Sequence, residues 1–225
     1  MPVLPQYQVR YVTKPPASLD ESADGPGWPE IAPLSPLSIL ASPEQIAPCP
    51  TTIKACFDDQ NLYLYFHCTD SEIIATHTQR DDPLWAEDVV EAFICPDGNL
   101  GRYYEFNFSP RGVIFDAIVT NPDHKRGEGF SPDLSWNAEG VDLQVVGRGR
   151  FYGNAEKDQW WSVRAAIPFA DLDLEAPADG QQWRINLFRI ERAGGKDLYC
   201  TWSSMPEFGK GYHQSERFGT FIFRR

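Results

Sequence analysis

From Thr51 onward the chain is a succession of short runs rich in β-branched and aromatic residues, each closed by a polar or glycine-containing turn. Windows of a dozen or more residues able to form helical crossovers do not recur between them, which removes the doubly wound α/β class. The first pair is explicit: Thr52 to Phe57, the polar tetrad Asp58-Asp59-Gln60-Asn61, then Leu62 to Cys68, the pattern of an antiparallel hairpin. In the second run Leu62, Leu64, Phe66 and Cys68 share one face and are assigned to the core, opposite Tyr63, Tyr65 and His67. Further runs at 8–13, 89–94, 103–108, 113–119, 143–147, 160–167, 183–190, 198–202 and 218–223 complete an all-β expectation, an antiparallel β-sandwich of about ten strands. One helical turn is expected after Pro168.

Residues 15–50 follow a different grammar. Nine prolines, Pro26 among them, break nearly every element there, so the segment reads as loop. Trp28, Ile31, Leu34, Leu37, Ile39 and Leu40 are interspersed, which predicts a segment packed on the body with Trp28 as anchor. With 225 residues, 42% of them hydrophobic, the whole of 1–225 is expected to fold as one domain with its core in 50–223.

The formal charge of −12 opposes phosphate backbones and anionic bilayers, so neither nucleic acid nor membrane is an expected partner. Residues 1–10 carry no basic stretch leading into an apolar run, which favours a cytoplasmic location, or a periplasmic or extracellular one after signal removal. Five cysteines without a CxxC pair read as small buried hydrophobes of a reducing compartment, at least one of them free or paired between chains. The four histidines are scattered singly, without zinc-ligand spacing.

Six segments in order resemble the family 9 carbohydrate-binding modules and their relatives. They are the hairpin 56–64 followed by Thr69-Asp70; Asp82-Pro83-Leu84-Trp85-Ala86-Glu87-Asp88-Val89-Val90-Glu91-Ala92-Phe93-Ile94; Tyr103-Tyr104-Glu105-Phe106-Asn107-Phe108 with its turn; 160–169 ending in Ile167-Pro168-Phe169; 183–190; and the closing run 218–223. The resemblance covers about residues 50–223 and implies a non-catalytic domain that holds a mono- or oligosaccharide between two aromatic rings over polar side chains. It implies Trp85 as the first ring, Glu91 and Asn107 as polar contacts, and Trp202 or Tyr212 as the opposite ring. Asn107 stands where some members carry arginine. Association with glycoside hydrolases is a further implication. No resident cofactor is implied; some members bind calcium, but no acidic cluster in this sequence matches their loop.

The residues support this reading on their own terms. A pyranose presents C–H groups on its faces and hydroxyls on its rim, so its site needs a flat apolar wall and polar partners at the edge. Glu91 lies in the stripe Val89, Glu91, Phe93, where an unpaired carboxylate would cost several kcal/mol. Arg189 is its candidate counter-ion, and both an ion pair inside the core and a ligand contact satisfy that demand. On 183–190, Asn186 and Arg189 have opposite parity and compete for a place in the site. Glu91 and Glu105 on neighbouring strands would be the paired carboxylates of a glycoside hydrolase, the competing enzymatic reading. A domain without a small ligand follows instead if residues 15–50 fill the concave face.

Overall fold

The computed structural model describes residues 3–16, 19, 27–148, 160–195, 197–207, 209 and 211–225. Pro26 therefore lies outside the described residues. The described chain forms fourteen strands: β1 (Gln6–Tyr11), β2 (Ser38–Ile39), β3 (Ser42–Ile46), β4 (Thr51–Phe57), β5 (Asn61–Thr69), β6 (Val89–Cys95), β7 (Arg102–Phe108), β8 (Ile114–Thr120), β9 (Ser131–Asp133), β10 (Asp142–Arg148), β11 (Trp160–Pro168), β12 (Gln182–Glu191), β13 (Leu198–Thr201) and β14 (Gly219–Arg224). Phe169–Leu172 is the expected turn after Pro168, wound as 3₁₀.

These strands form one continuous ladder in the order β10-β11-β5-β4-β1-β14-β12-β6-β7-β8-β9, with β13 pairing β12, β2 pairing β13, and β3 pairing β2. The expected ten-strand antiparallel sandwich is corrected on two points. The sheet is a single curled half-barrel, because β1 sits between β4 and β14 and stitches the two halves together. Both of those pairings are parallel, an arrangement that local alternation cannot reveal. The 15–50 segment also contains β2 and β3, although it reads as loop. Pro43 is tolerated in β3 because, among the described residues, that strand pairs with β2 alone, and an edge leaves room for a missing N–H.

Curling brings side chains from both halves into one core. Ile53, Ala55 and Phe57 of β4, Leu62, Leu64, Phe66 and Cys68 of β5, and Trp161 and Val163 of β11 meet Val90, Ala92 and Ile94 of β6, Phe106 and Phe108 of β7, and Trp183, Ile185 and Leu187 of β12. Each fully buried aliphatic or aromatic side chain contributes on the order of 1.5–3 kcal/mol. Tyr63 and Tyr65, on the opposite face of β5, are buried too, under the N-terminal segment: Trp28 is fully buried and stacks on Tyr65 with ring centroids 5.0 Å apart. Lys54 donates to the Trp28 carbonyl at 2.9 Å and fastens the same contact. The proline-rich segment thus covers the outer face of the β4–β5–β11 half, leaving the outer face of the β12–β6–β7–β8 half for other use.

Candidate ligand-binding site

Strand pairing sets the floor of the site. Phe188, Glu91, Asn107 and Phe115 form one cross-strand row over β12, β6, β7 and β8, and Asn186, Phe93, Glu105 and Ala117 form the next. All eight are buried. Above them opens a cavity of about 540 Å³ lined by Trp85, Phe93, Phe115, Phe130, Tyr199, Tyr212 and His213, with Glu91 and Glu105 at its base and Arg126 and Arg192 on its wall. That volume lies within the range of small-molecule sites. Among the described residues of 15–50, only Leu40 reaches it.

Trp85 projects from a single 3₁₀ turn, Leu84–Ala86, which buried Leu84 pins to the body. The indole stays 44% exposed, a large apolar surface left open to solvent at the rim. It meets Phe115 edge-on at 5.0 Å, and Arg192 donates to its carbonyl at 2.6 Å. Tyr212 forms a second wall, stacked on Phe188 with centroids 4.1 Å apart. Its hydroxyl accepts from the Cys200 amide at 3.0 Å and donates to the Arg189 carbonyl at 2.9 Å, so the ring is held from its far end. Tyr103 and His213 share a hydrogen bond of 2.7 Å, and burial pushes the imidazole down to about 3, which keeps it neutral.

The polar floor has unused capacity. Asn107 Nδ2 donates to Glu105 Oε1 at 3.2 Å, while Asn107 Oδ1 and Glu91 Oε1 are buried without a partner among the described residues. Burial raises the Glu91 carboxyl well above its ordinary value, and the neighbouring Glu105 carboxylate adds to the rise. Burial also pushes Glu105 up, to about 7. Two acids driven toward their neutral forms can donate as well as accept hydrogen bonds, which suits them to hydroxyl groups.

Of the residues singled out in the sequence, Trp85, Glu91 and Tyr212 line one cavity, and Asn107 does not line it but lies buried beside its base, opposite Glu91 across the strands and donating to Glu105. The structure does not bring the other three there. Trp202 is buried in the main core, its indole donating to Ser35 at 3.0 Å and its ring 5.6 Å from Phe221. Asn186 is saturated within the protein: its Nδ2 donates to Thr201 and the Ser203 carbonyl, and its Oδ1 accepts from Leu187 and Ser203 amides. Arg189 has the opposite parity from Phe188 and points into the core, where it pairs with Asp70 at 3.2 Å and with Glu191. It is no counter-ion to Glu91, because the sheet itself separates them. Phe115, Phe130, Tyr199, Glu105, Arg126, Arg192 and His213 also line the cavity. The alternation of 103–108 already put Glu105 beside Asn107, but the loop residues carry no local sequence signal.

A cluster absent from any single stretch of sequence also forms. Asp70 after β5, Asp88 before β6 and Glu191 at the end of β12 are all buried, each with a ligand-capable oxygen within 4.8 Å of the others. Burial and the charges of Glu191 and Asp70 push Asp88 up to about 8. Arg189 contributes one positive charge against three carboxylates, and Asp88 also accepts from the Ile74 and Arg192 amides. Three hard oxygen donors with excess negative charge can coordinate a metal ion.

Comparison with known proteins agrees with this architecture. A curated relative, described as an extracellular protein of Arthroderma benhamiae, is 28% identical over 142 residues, 62% of this chain and 62% of its own length. The expectation of a cytoplasmic location is overturned by that relative. Among solved structures, a proposed carbohydrate-binding protein from Bacteroides uniformis superposes with a TM-score of 0.74 at 16% identity, covering 98% of this chain and all of its own. A family 9 carbohydrate-binding module from Caldicellulosiruptor kristjanssonii, solved with cellotriose, gives 0.63 at 11% identity over 98% of this chain and 94% of its own. The same module solved with glucose gives 0.63 at 12%, over 98% and 96%. At these identities the likeness establishes the fold. A family profile described as carbohydrate family 9 binding domain-like matches residues 24–224, and the chain belongs to that family.

Proposed function

We propose that this protein binds a mono- or oligosaccharide non-catalytically in the 540 Å³ cavity, with Trp85 and Tyr212 as apolar walls and Glu91, Asn107 and Glu105 as the polar floor. The observation that carries the reading is the pair of buried oxygens with no partner among the described residues, Glu91 Oε1 and Asn107 Oδ1, beneath an aromatic rim. Leaving them unpaired costs roughly 1–3 kcal/mol each, and sugar hydroxyls recover that. The solved neighbours that hold glucose and cellotriose support the ligand class. Calcium is the proposed occupant of the Asp70, Asp88 and Glu191 cluster, whose all-oxygen donors suit a hard cation. An extracellular setting, as for the curated relative, places such a domain beside glycans and the hydrolases that act on them.

Glycan-array screening followed by calorimetric titration of the best sugar tests the reading. Trp85→Ala is expected to weaken affinity by about 10- to 100-fold with little change in stability, since the ring is half-exposed. Unchanged affinity in that variant would remove Trp85 from the site.

A further inference from the structure

Cys49 and Cys200 are 151 positions apart in sequence, yet their sulfurs lie 3.5 Å from one another, within hydrogen-bond range. Cys49 sits in the connection between β3 and β4, partly exposed, and Cys200 is buried in β13. The surrounding backbone is well anchored. Pro50 accepts from the Thr69 amide at 2.9 Å, Thr51 Oγ1 donates to the Cys49 carbonyl at 3.1 Å, and Cys200 is held in register against Arg189 and Ile39. Cys56, Cys68 and Cys95 are all buried, and burial pushes each thiol up to about 12, so they are inert packing residues.

We propose that Cys49 and Cys200 are an oxidisable dithiol that closes to an intramolecular disulfide under oxidising conditions, stapling the proline-rich segment to the strand behind the Tyr212 wall. The oxidant is a small-molecule disulfide such as oxidised glutathione. The Cys49 thiolate attacks one sulfur of the oxidant, forming a mixed disulfide and expelling one equivalent of thiolate. Cys200, after losing its proton to solvent, attacks Cys49 Sγ, forms the protein disulfide and expels the second equivalent. The two protein thiols are oxidised, the oxidant is reduced to two thiols, and the two protons leave on those products. The hydrogen bond from Cys200 lowers the Cys49 thiol and raises Cys200, consistent with the accessible cysteine attacking first.

The consequence reaches the cavity through one contact, because the Cys200 amide donates to the Tyr212 hydroxyl at 3.0 Å. A bridge at Cys200 fixes the strand that holds that ring. It also closes a very long loop, the case in which a cross-link restricts the unfolded chain most.

The test is thiol counting on the whole chain after equilibration with oxidised glutathione, using maleimide labelling in denaturant and intact-mass analysis. The expected outcome is three labels instead of five, with a peptide map joining the segments that contain Cys49 and Cys200. The Tm of the oxidised form is expected to rise by about 5–10 °C and to fall back on reduction. Cys49→Ser, at a partly exposed position, should keep the fold, label at its four remaining cysteines and lose the redox dependence of Tm. Five labels on the wild-type protein at equilibrium, or a cross-link through Cys56, Cys68 or Cys95, would overturn the proposal.

Discussion

Glu105 offers a quantitative check on the floor of the cavity. Its carboxyl is held near 7 in the folded protein, chiefly by burial, against an ordinary value of 4.5. A raised acid binds its proton more tightly when folded than when unfolded. Its stabilising contribution is therefore complete below about pH 4.5, falls as pH rises, and is lost once pH passes the folded value near 7. At about 1.4 kcal/mol per tenfold change in proton affinity, the loss is on the order of 3 kcal/mol. For a domain of this size that corresponds to a fall in Tm of about 6–12 °C. Glu105→Gln keeps an acceptor for Asn107 Nδ2 but cannot ionise. Differential scanning fluorimetry of both proteins without sugar, across about pH 4.5–8.5, should give curves that diverge, the wild type falling more steeply. Asp88, pushed up to about 8 without help from Glu105, cancels from the comparison, whereas Glu91 loses the repulsion of the Glu105 charge in the variant, which widens the divergence. Parallel curves would refute the argument that Glu105 is buried uncompensated in the floor.

Three other outcomes are expected. Arg189→Met strands Asp70 and Glu191 as buried carboxylates and should cost about 3–5 kcal/mol in urea denaturation. Gly219→Ala should cost about 1–3 kcal/mol in the same assay, since a Cβ there would sit 2.5 Å from Trp202 Cζ3 and 3.0 Å from the Pro5 carbonyl oxygen. Saturating calcium should raise the wild-type Tm and chelator should lower it, while Asp88→Asn should abolish most of the response, read by scanning fluorimetry.

Much of the fold was legible because a half-buried strand writes its period into its own residues. The hairpin β4–β5 and the inward set Leu62, Leu64, Phe66 and Cys68 follow from alternation alone. So does the shared face of Glu105 and Asn107. What alternation cannot say is which strands are neighbours, and β1's place between β4 and β14 depends on pairings with residues 46 and 214 positions away. Arg189 illustrates the same limit within the site. Its charge made it attractive as a partner for Glu91, but its parity sends it to the other side of the sheet, toward Asp70. The Asp70, Asp88 and Glu191 cluster was hidden for a related reason, since its members come from three separated segments. Trp202 and Tyr212 flank one loop, and only tertiary packing decides that the first fills the core and the second walls the cavity.

The parallel pairing of β1 with β14 has a mechanical corollary. Gln6 lies opposite Thr220 and Arg10 opposite Arg224, so the chain enters at one end of this strand pair and leaves at the other. Tension applied through the two termini would pull the strands lengthwise past each other. Their rungs would then share the force and rupture together, as in any shear-loaded strand pair.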